Sequence, residues 1–430
     1  MTTPRQVINT YLVITALYTL ATSMIWGINT LFLMEAGLDI FQVMVVNAAF
    51  TVGMVAFEVP TGVVADTLGR KVSFVLCVIV LFFSTLLYVA AARYQWGIWA
   101  FAGISFALGL GFTFQTGAVE AWLVDALDHT GFDGTRERVF ARGQTAFSAS
   151  MLVGTVAGGF LGQVNLALPY LVRAMILIPT LFVILLFMRD LGFEPRPLKA
   201  GTFGEETRRI FYEGVSYGWR HPVIRFCVIA SFVEGLFFIF GWYSWQRYFL
   251  DLLARELIWV AGLVSALFSL SSILGNSLVS RAMQAFHAKS PARLLAWGSL
   301  VQAAAVAAAG LLGALAPERS RGPVLFACAV VLYLSFGVVL GVVKPIRQGF
   351  INRHIASGKR ATVLSVDALF LDLGGVLGQT GLGYLSRSVS IAGAWILGGA
   401  FLFAGYPLYR TAEKVEDEGK RLTRGDSDPG

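Results

Sequence analysis

Five carboxylates interrupt the long apolar runs of this 430-residue sequence: Glu58, Glu120, Glu234, Asp367 and Asp372. The chemistry open to an acid in such a setting is reversible protonation. A carboxyl group with restricted access to water keeps its proton to higher pH than a free one, so it can load and release that proton near neutrality. A charge at the centre of a bilayer costs on the order of 3 kcal/mol on insertion scales, so each acid needs a role that offsets the cost. The other role open to them is a structural ion pair, for example Glu120 or Asp125 with Arg142. Lys344 and Arg347 are cations near the end of a further apolar run, whereas Arg142 and Arg173 are expected to snorkel to the interface on their long stems. Trp26, Asn29, Gln115, Phe238 and Trp242 are polar or aromatic side chains of the same runs that could meet a small solute. Rings of this kind hold apolar or cationic groups through buried area and cation–π attraction. Trp245, Tyr248 and Phe249, further along the same run, read instead as an interfacial aromatic belt.

The elements that position these groups follow from composition. The sequence is 56% hydrophobic and 14% charged, with a mean hydropathy of +0.70, whereas a soluble chain is about a quarter charged. Apolar blocks such as 8–34 and 72–92 reach the ~20 residues a helix needs to cross a hydrocarbon core. Helices satisfy their backbone groups within one segment, as lipid demands. The expectation is an all-α integral membrane protein with twelve transmembrane helices, at 8–34, 40–65, 72–92, 97–124, 139–162, 166–188, 223–249, 256–280, 292–315, 323–346, 361–386 and 388–409. The first block has no cleavage site and reads as a retained span.

The longest polar interval, Arg189–His221, divides the chain. The expected organisation is an N-terminal six-helix bundle (1–188), a cytoplasmic linker (189–221) with an amphipathic helix over 203–220, a C-terminal six-helix bundle (222–410) and a disordered cytoplasmic tail (411–430). Basic residues concentrate in one set of loops, which places both termini in the cytoplasm. They are spread rather than gathered into a patch, so the net charge of +7 does not indicate nucleic acid. Cys77, Cys227 and Cys328 and the four histidines show no metal-ligand spacing, and no G-x-x-x-x-G-K-[ST] loop is present to cradle ATP. No enzyme chemistry, metal or cofactor is expected.

Two six-residue strings, GGFLGQ (Gly158–Gln163) and GGVLGQ (Gly374–Gln379), lie almost half the chain apart. They indicate a parallel internal repeat, an architecture that in transporters puts the substrate near the bilayer midplane between the halves. Gly154, Gly158 and Gly162 recur every four residues, as do Gly374 and Gly378, the small-xxx-small spacing that lets a neighbouring backbone approach. Asp372 shares a helix face with Gly375 and Gln379, and its place in the first copy is taken by Val156. The asymmetric residue of the repeat is the one that points to function.

The loop GVVADTLGRK, Gly62–Lys71, resembles the signature G-x-x-x-D-x-x-G-R-[KR] of the major facilitator superfamily. The resemblance implies two pseudo-symmetric six-helix bundles and a conformational latch at Gly62, Asp66, Gly69, Arg70 and Lys71. The matching loop of the second half, GNSLVSRAMQ, keeps Gly275 and Arg281 but not the Asp-x-x-Gly core. Span five partly resembles the antiporter motif G-x-x-x-G-P-x-x-G-G, with Gly159 in place of proline and Gln163 in place of the last glycine. In this family spans one, four, seven and ten line the cavity, which makes Glu120, Glu234 and Lys344 candidates for contact with substrate or coupling ion. Span four lacks the basic residue that many exporters of the family carry there. The resemblance implies a monomeric proton-coupled secondary transporter in the inner membrane, working by alternating access on a small-molecule substrate. Export of amphipathic or hydrophobic compounds is the first expectation. The alternatives are symport of a polar or anionic solute, translocation of a lipid or lysolipid, and a non-transporting sensor.

Overall fold

The first helix starts where its sequence says it can. Thr3 accepts the Gln6 N–H, the Gln6 side chain accepts the Thr3 N–H at 2.9 Å, and Pro4 occupies the first helical position. This reciprocal cap satisfies two donors that a helix N-terminus otherwise leaves orphaned. The computed structural model describes residues 2–195, 216, 218–253, 257–285, 290–317, 321–355 and 360–425. Its helices are α1 (Pro4–Ser23), α2 (Asn29–Glu35), α3 (Ile40–Leu68), α4 (Arg70–Arg93), α5 (Ile98–Thr113), α6 (Ala118–His129), α7 (Arg136–Val164) and α8 (Leu168–Phe187). There follow α9 (Ile224–Leu253), α10 (Ile258–Ser277), α11 (Val279–Ala285), α12 (Pro291–Leu315), α13 (Pro323–Arg353), α14 (Arg360–Ser388), α15 (Ile391–Phe403) and α16 (Gly405–Gly425).

Among the described residues, eleven helical segments are long and apolar enough to cross a membrane. The expected first span is instead divided, with α1 ending at Ser23 and α2 beginning at Asn29. The fourth is broken between α5 and α6 at Gly117, whose φ of +71° suits a residue without Cβ. Gly69, φ +106°, makes the one-residue turn from α3 to α4.

The expected disordered tail is corrected. α16 runs to Gly425, and Tyr409 and Ala412 are buried on it with Val415 packed beside them. The three-residue spacing forms an apolar stripe hidden among charges, and the buried Glu413 ties it to Arg293 at 2.8 Å and to Arg410. The amphipathic linker helix expected over 203–220 lies, apart from 216 and 218–220, outside the described residues.

The chain forms two compact units, residues 1–200 with 256–266, and 201–255 with 267–430. In the first unit α3 packs on α5, α1 on α7 and α4 on α8. Gly154 and Gly158 let α7 touch α1, where added Cβ atoms would fall on Ser23 and on the Met24 carbonyl. Gly159, the residue that departs from the antiporter motif, lies against Gly262, while Phe160 stacks on Trp259 at 5.7 Å. These contacts explain why the start of α10 groups with the first unit. In the second unit α9 packs on α14 and α12 on α13 and α15. Gly374 and Gly378 of α14 sit where Cβ atoms would meet the carbonyls of Phe232 and Leu236 on α9. Each copy of the repeated string thus brings two backbones together within its own unit.

Candidate functional site

Cys227, Ser231 and Glu234 are four and three residues apart on α9 and therefore share one face. Arg347 of α13, Asp367 of α14 and Tyr409 of α16 converge on that face. Arg347 Nη2 donates to Asp367 Oδ1 at 2.5 Å, to the Ser231 hydroxyl, and to the Cys227 carbonyl at 3.4 Å; its Nε donates to Tyr409 Oη at 3.0 Å. Ser231 Oγ also donates to Asp367 Oδ1 at 2.6 Å. Asp367 is 7% exposed, and its charge is met by the largely buried Arg347 guanidinium, the arrangement that makes a desolvated pair tolerable.

Glu234 stands apart from that pair. It lies ten residues into α9, about 15 Å along the axis, and among the described residues it makes no ion pair or hydrogen bond of its own. The charges acting on it are those of Arg347, Asp367 and Lys344. A small pocket beside it is lined by Glu234, Ser299, Gln302, Val343 and Tyr409, among others. Gln302 is 3% exposed, and its Nε2 finds no acceptor among the described residues. The site therefore combines a neutralised buried pair with an adjacent acid that has no ion pair of its own among the described residues.

The other expected residues are dispersed. Glu58 on α3, Glu120 on α6 and Lys344 on α13 are exposed, and Gln115 in the turn before α6 is half-buried. Asp372 is half-buried on α14, as are Trp26, Phe238 and Trp242 in their own segments. The polar face expected around Asp372 is only partly polar, because Gly375 packs on the Ile239 side chain. Asn29 is buried and bonds to Asn47 at 3.0 Å and to the Tyr170 hydroxyl at 2.9 Å. The charge of Arg70 acts on Asp125, and among the described residues neither Glu120 nor Asp125 forms a salt bridge with Arg142. Trp245, Tyr248 and Phe249, expected at an interface, are buried against Tyr333 and Trp395. Arg173 does not snorkel: it is 1% exposed inside the first unit.

At the signature loop Arg70 pairs with Asp66 at 2.5 Å, one helical turn away. The N-terminus of α4 is held by an acid that sequence reasoning missed. Asp190, just beyond α8, accepts the Lys71 N–H at 3.0 and 3.3 Å, while Lys71 Nζ donates to the Leu185 carbonyl at 2.7 Å. A Cβ on Gly69 would collide with the Asp190 carboxylate, so the signature glycine makes room for this cap as well as for the turn. Burial pushes the Asp190 carboxyl above the usual range, against the opposing pull of Lys71 and Arg70. The available signal was an acid just beyond the end of the expected span six. Gly62, by contrast, faces open space.

Residues 11–379 match the family model of the Major Facilitator Superfamily. The uncharacterized MFS-type transporter YxaM of Bacillus subtilis (strain 168) is 21% identical over 95% of this chain and 96% of its own length. Among solved structures, the nucleoside transporter NupG superposes with a TM-score of 0.74 at 11% identity, over 95% of this chain and 99% of that one. The POT family transporter PepTSo does so at 0.72 and 14%, over 97% and 99%. These low identities speak for the fold alone, and the family match covers most of the chain. The chain belongs to the major facilitator superfamily and is a multi-pass membrane secondary transporter of a small-molecule substrate, not an enzyme.

Proposed function

We propose that this transporter couples solute movement to protons and exports small amphipathic or hydrophobic compounds by alternating access. The observation that carries the reading is Glu234, an acid without an ion pair deep in a membrane helix, beside the Arg347–Asp367 pair. Proton uptake at Glu234 removes a charge that Asp367 opposes, and release restores it. The neighbouring pair keeps its own charges meanwhile, so one proton changes the balance of the cluster. Glu120, Glu58 and Asp372 are secondary proton-coupling candidates, and Trp242 and Phe238 supply ring surface for an apolar or cationic solute. The partial span-five motif supports export. The working organisation is a monomer in the cytoplasmic membrane with both termini inside, built from bundles 1–188 and 222–410.

A second reading is symport of a polar or anionic solute. Lys344, exposed on α13, supports it, since Arg347 is already committed to Asp367. NupG, described as a nucleoside transporter, and the POT family transporter PepTSo share the fold.

The test is proteoliposomes with an imposed pH gradient, followed by a pH-sensitive dye against cationic amphiphiles, nucleosides, peptides, sugars and lysolipids. Proton movement opposite to an amphiphile supports export. Co-directional movement with a polar solute replaces it with symport. Glu234→Gln is expected to abolish gradient-driven accumulation while leaving solute binding intact; wild-type accumulation in that variant removes Glu234 from the coupling role.

A further inference from the structure

The pocket beside Glu234 suits a guest smaller than an organic solute. It offers about 10 Å³ to the centre of that guest, room for one water. Glu234 is the one charged residue of its lining, and the polar remainder is Ser299, Gln302 and Tyr409. The four residues come from α9, α12 and α16 of the second unit, where α16 packs on both other helices. The charges acting on Glu234 from outside the lining are Arg347 and Lys344 of α13 and Asp367 of α14. Of these, Arg347 and Asp367 are engaged with each other.

Each polar group of the lining has bonding capacity left over. Gln302 is 3% exposed, and its Nε2 finds no acceptor among the described residues. The buried Tyr409 Oη accepts from Arg347 Nε at 3.0 Å. Arginine has donors only, so the direction of that bond is fixed and the phenol's own hydrogen lies elsewhere. Among the described residues that O–H has no recipient. Ser299 Oγ donates to the Leu295 carbonyl at 3.1 Å, which leaves its oxygen as an acceptor beside the Glu234 carboxylate. Gly405 makes space for that hydroxyl, since an added Cβ would meet Ser299 Oγ at 2.7 Å. Two donors and two acceptors thus line a space of one water, and a water bonds to both kinds at once. Of the lining groups only Glu234 and Tyr409 can lose a proton, and a phenol ordinarily holds its own to about pH 10. Within the pocket, water is the remaining carrier that can hand Glu234 a proton.

We propose that Gln302 and Tyr409 hold one water against the Glu234 carboxylate, and that Glu234 gains and loses its proton through this water. The proposal rests on the reading of Glu234 as the coupling acid. On uptake the water receives a proton on its oxygen and passes one of its own to a Glu234 carboxylate oxygen, leaving water and a neutral carboxyl group. Release reverses both transfers. Gln302 and Tyr409 are positioning residues, because neither takes up the proton. Arg347 fixes the phenol from behind, so the buried ion pair helps to aim the water.

The test is infrared difference spectroscopy between acidic and alkaline buffer on the full-length protein reconstituted in lipid. Spectra are taken in ordinary water and in water labelled with the heavy oxygen isotope. The protonated carboxyl band of Glu234 is identified by its loss in Glu234→Gln. Expected beside it is an O–H stretching band that follows the same titration and shifts on isotope exchange, as a water does and a protein hydroxyl does not. Gln302→Leu removes the amide and keeps the bulk, and Tyr409→Phe removes the hydroxyl and keeps the ring. Each is expected to lose the isotope-sensitive band and retain the carboxyl band. The Tyr409→Phe result decides the matter should Gln302→Leu fail to fold. A carboxyl band with no isotope-sensitive partner overturns the bound water, as does an isotope-sensitive band that survives in either variant. Absence of any Glu234 band overturns instead the reading of Glu234 as the coupling acid, and this proposal with it.

Discussion

Asp367 and Glu234 lie on facing helices of one cluster, yet their loss should have opposite signatures. Asp367 is the counter-charge of a buried arginine. Asp367→Asn strands that arginine, and removing one partner of a buried pair costs about 3–5 kcal/mol. Replacing both, as Arg347→Met with Asp367→Leu, should recover most of the loss. Thermal or denaturant unfolding of the single and double variants checks this; an Asp367→Asn protein of wild-type stability would mean the pair contributes little. Glu234→Gln removes no ion pair, so its stability should stay within ~1 kcal/mol of wild type while gradient-driven transport is lost. The five acids were legible in the sequence because a charge in an apolar run stands out. Their partners were not. Ser231 Oγ also touches the Cys227 carbonyl one turn back, at 3.1 Å, which is the ordinary local bond of a helical serine. Nothing local reveals that the same hydroxyl meets an aspartate 136 residues away. Helical phase shows which residues share a face and is silent on what the face meets.

At the scale of elements, glycine spacing was informative because it reports a contact that side chains forbid. Gly374 lies against the Phe232 carbonyl, whereas Gly381, seven residues on in the same helix, has nothing within 4 Å of an added Cβ. Gly374→Ala should therefore cost about 1–3 kcal/mol through forced separation of α9 and α14. Gly381→Ala should be neutral or stabilise by up to ~1 kcal/mol through helix propensity. Equal melting temperatures for the two variants would contradict the close approach. Helix starts are open to a similar test. His221 Nδ1 accepts the N–H groups of Val223 and Ile224, each at 3.3 Å, and so caps α9 only while that nitrogen is unprotonated. Burial, then the neighbouring His354, pushes its pKa below the ordinary 6.5. The folded form thus prefers the neutral ring. The cap's contribution, about 1 kcal/mol, is full above pH 6.5 and is lost as pH falls through the lowered folded value. His221→Asn keeps a capping acceptor that does not titrate, so it should flatten the acid limb of a stability–pH profile; an unchanged limb assigns the loss elsewhere. Breaks at Ser23 and Gly117 and the helical tail escaped the sequence reading for one reason. A hydropathy window averages over a kink, and a three-residue stripe among charges falls below its threshold.

For the whole molecule, membership of a superfamily settles the scaffold and leaves the solute to the site, since one fold serves many substrates. The half-length repeat made that scaffold legible: two strings with the same glycines imply two units with the same helix contact. What the repeat could not show is how the signature loop works, because its partner Asp190 lies outside the motif. The two acids of that loop should separate folding from cycling. Asp190 receives a backbone N–H at a helix start, so Asp190→Ala should cost about 1 kcal/mol of stability. Asp66 makes a partly exposed pair with Arg70, its side chain 36% exposed, and such pairs contribute ~0.2–1 kcal/mol. Asp66→Asn should therefore leave the melting temperature almost unmoved. If Asp66 latches a conformational state, as the resemblance implies, the same variant should slow solute counterflow in proteoliposomes, an exchange that needs the conformational cycle but no proton gradient. Slow counterflow at unchanged stability places Asp66 in the cycle. Wild-type counterflow would leave the signature aspartate with its local ion pair alone, and would move the search for the latch to Asp190 and the α4 start it holds.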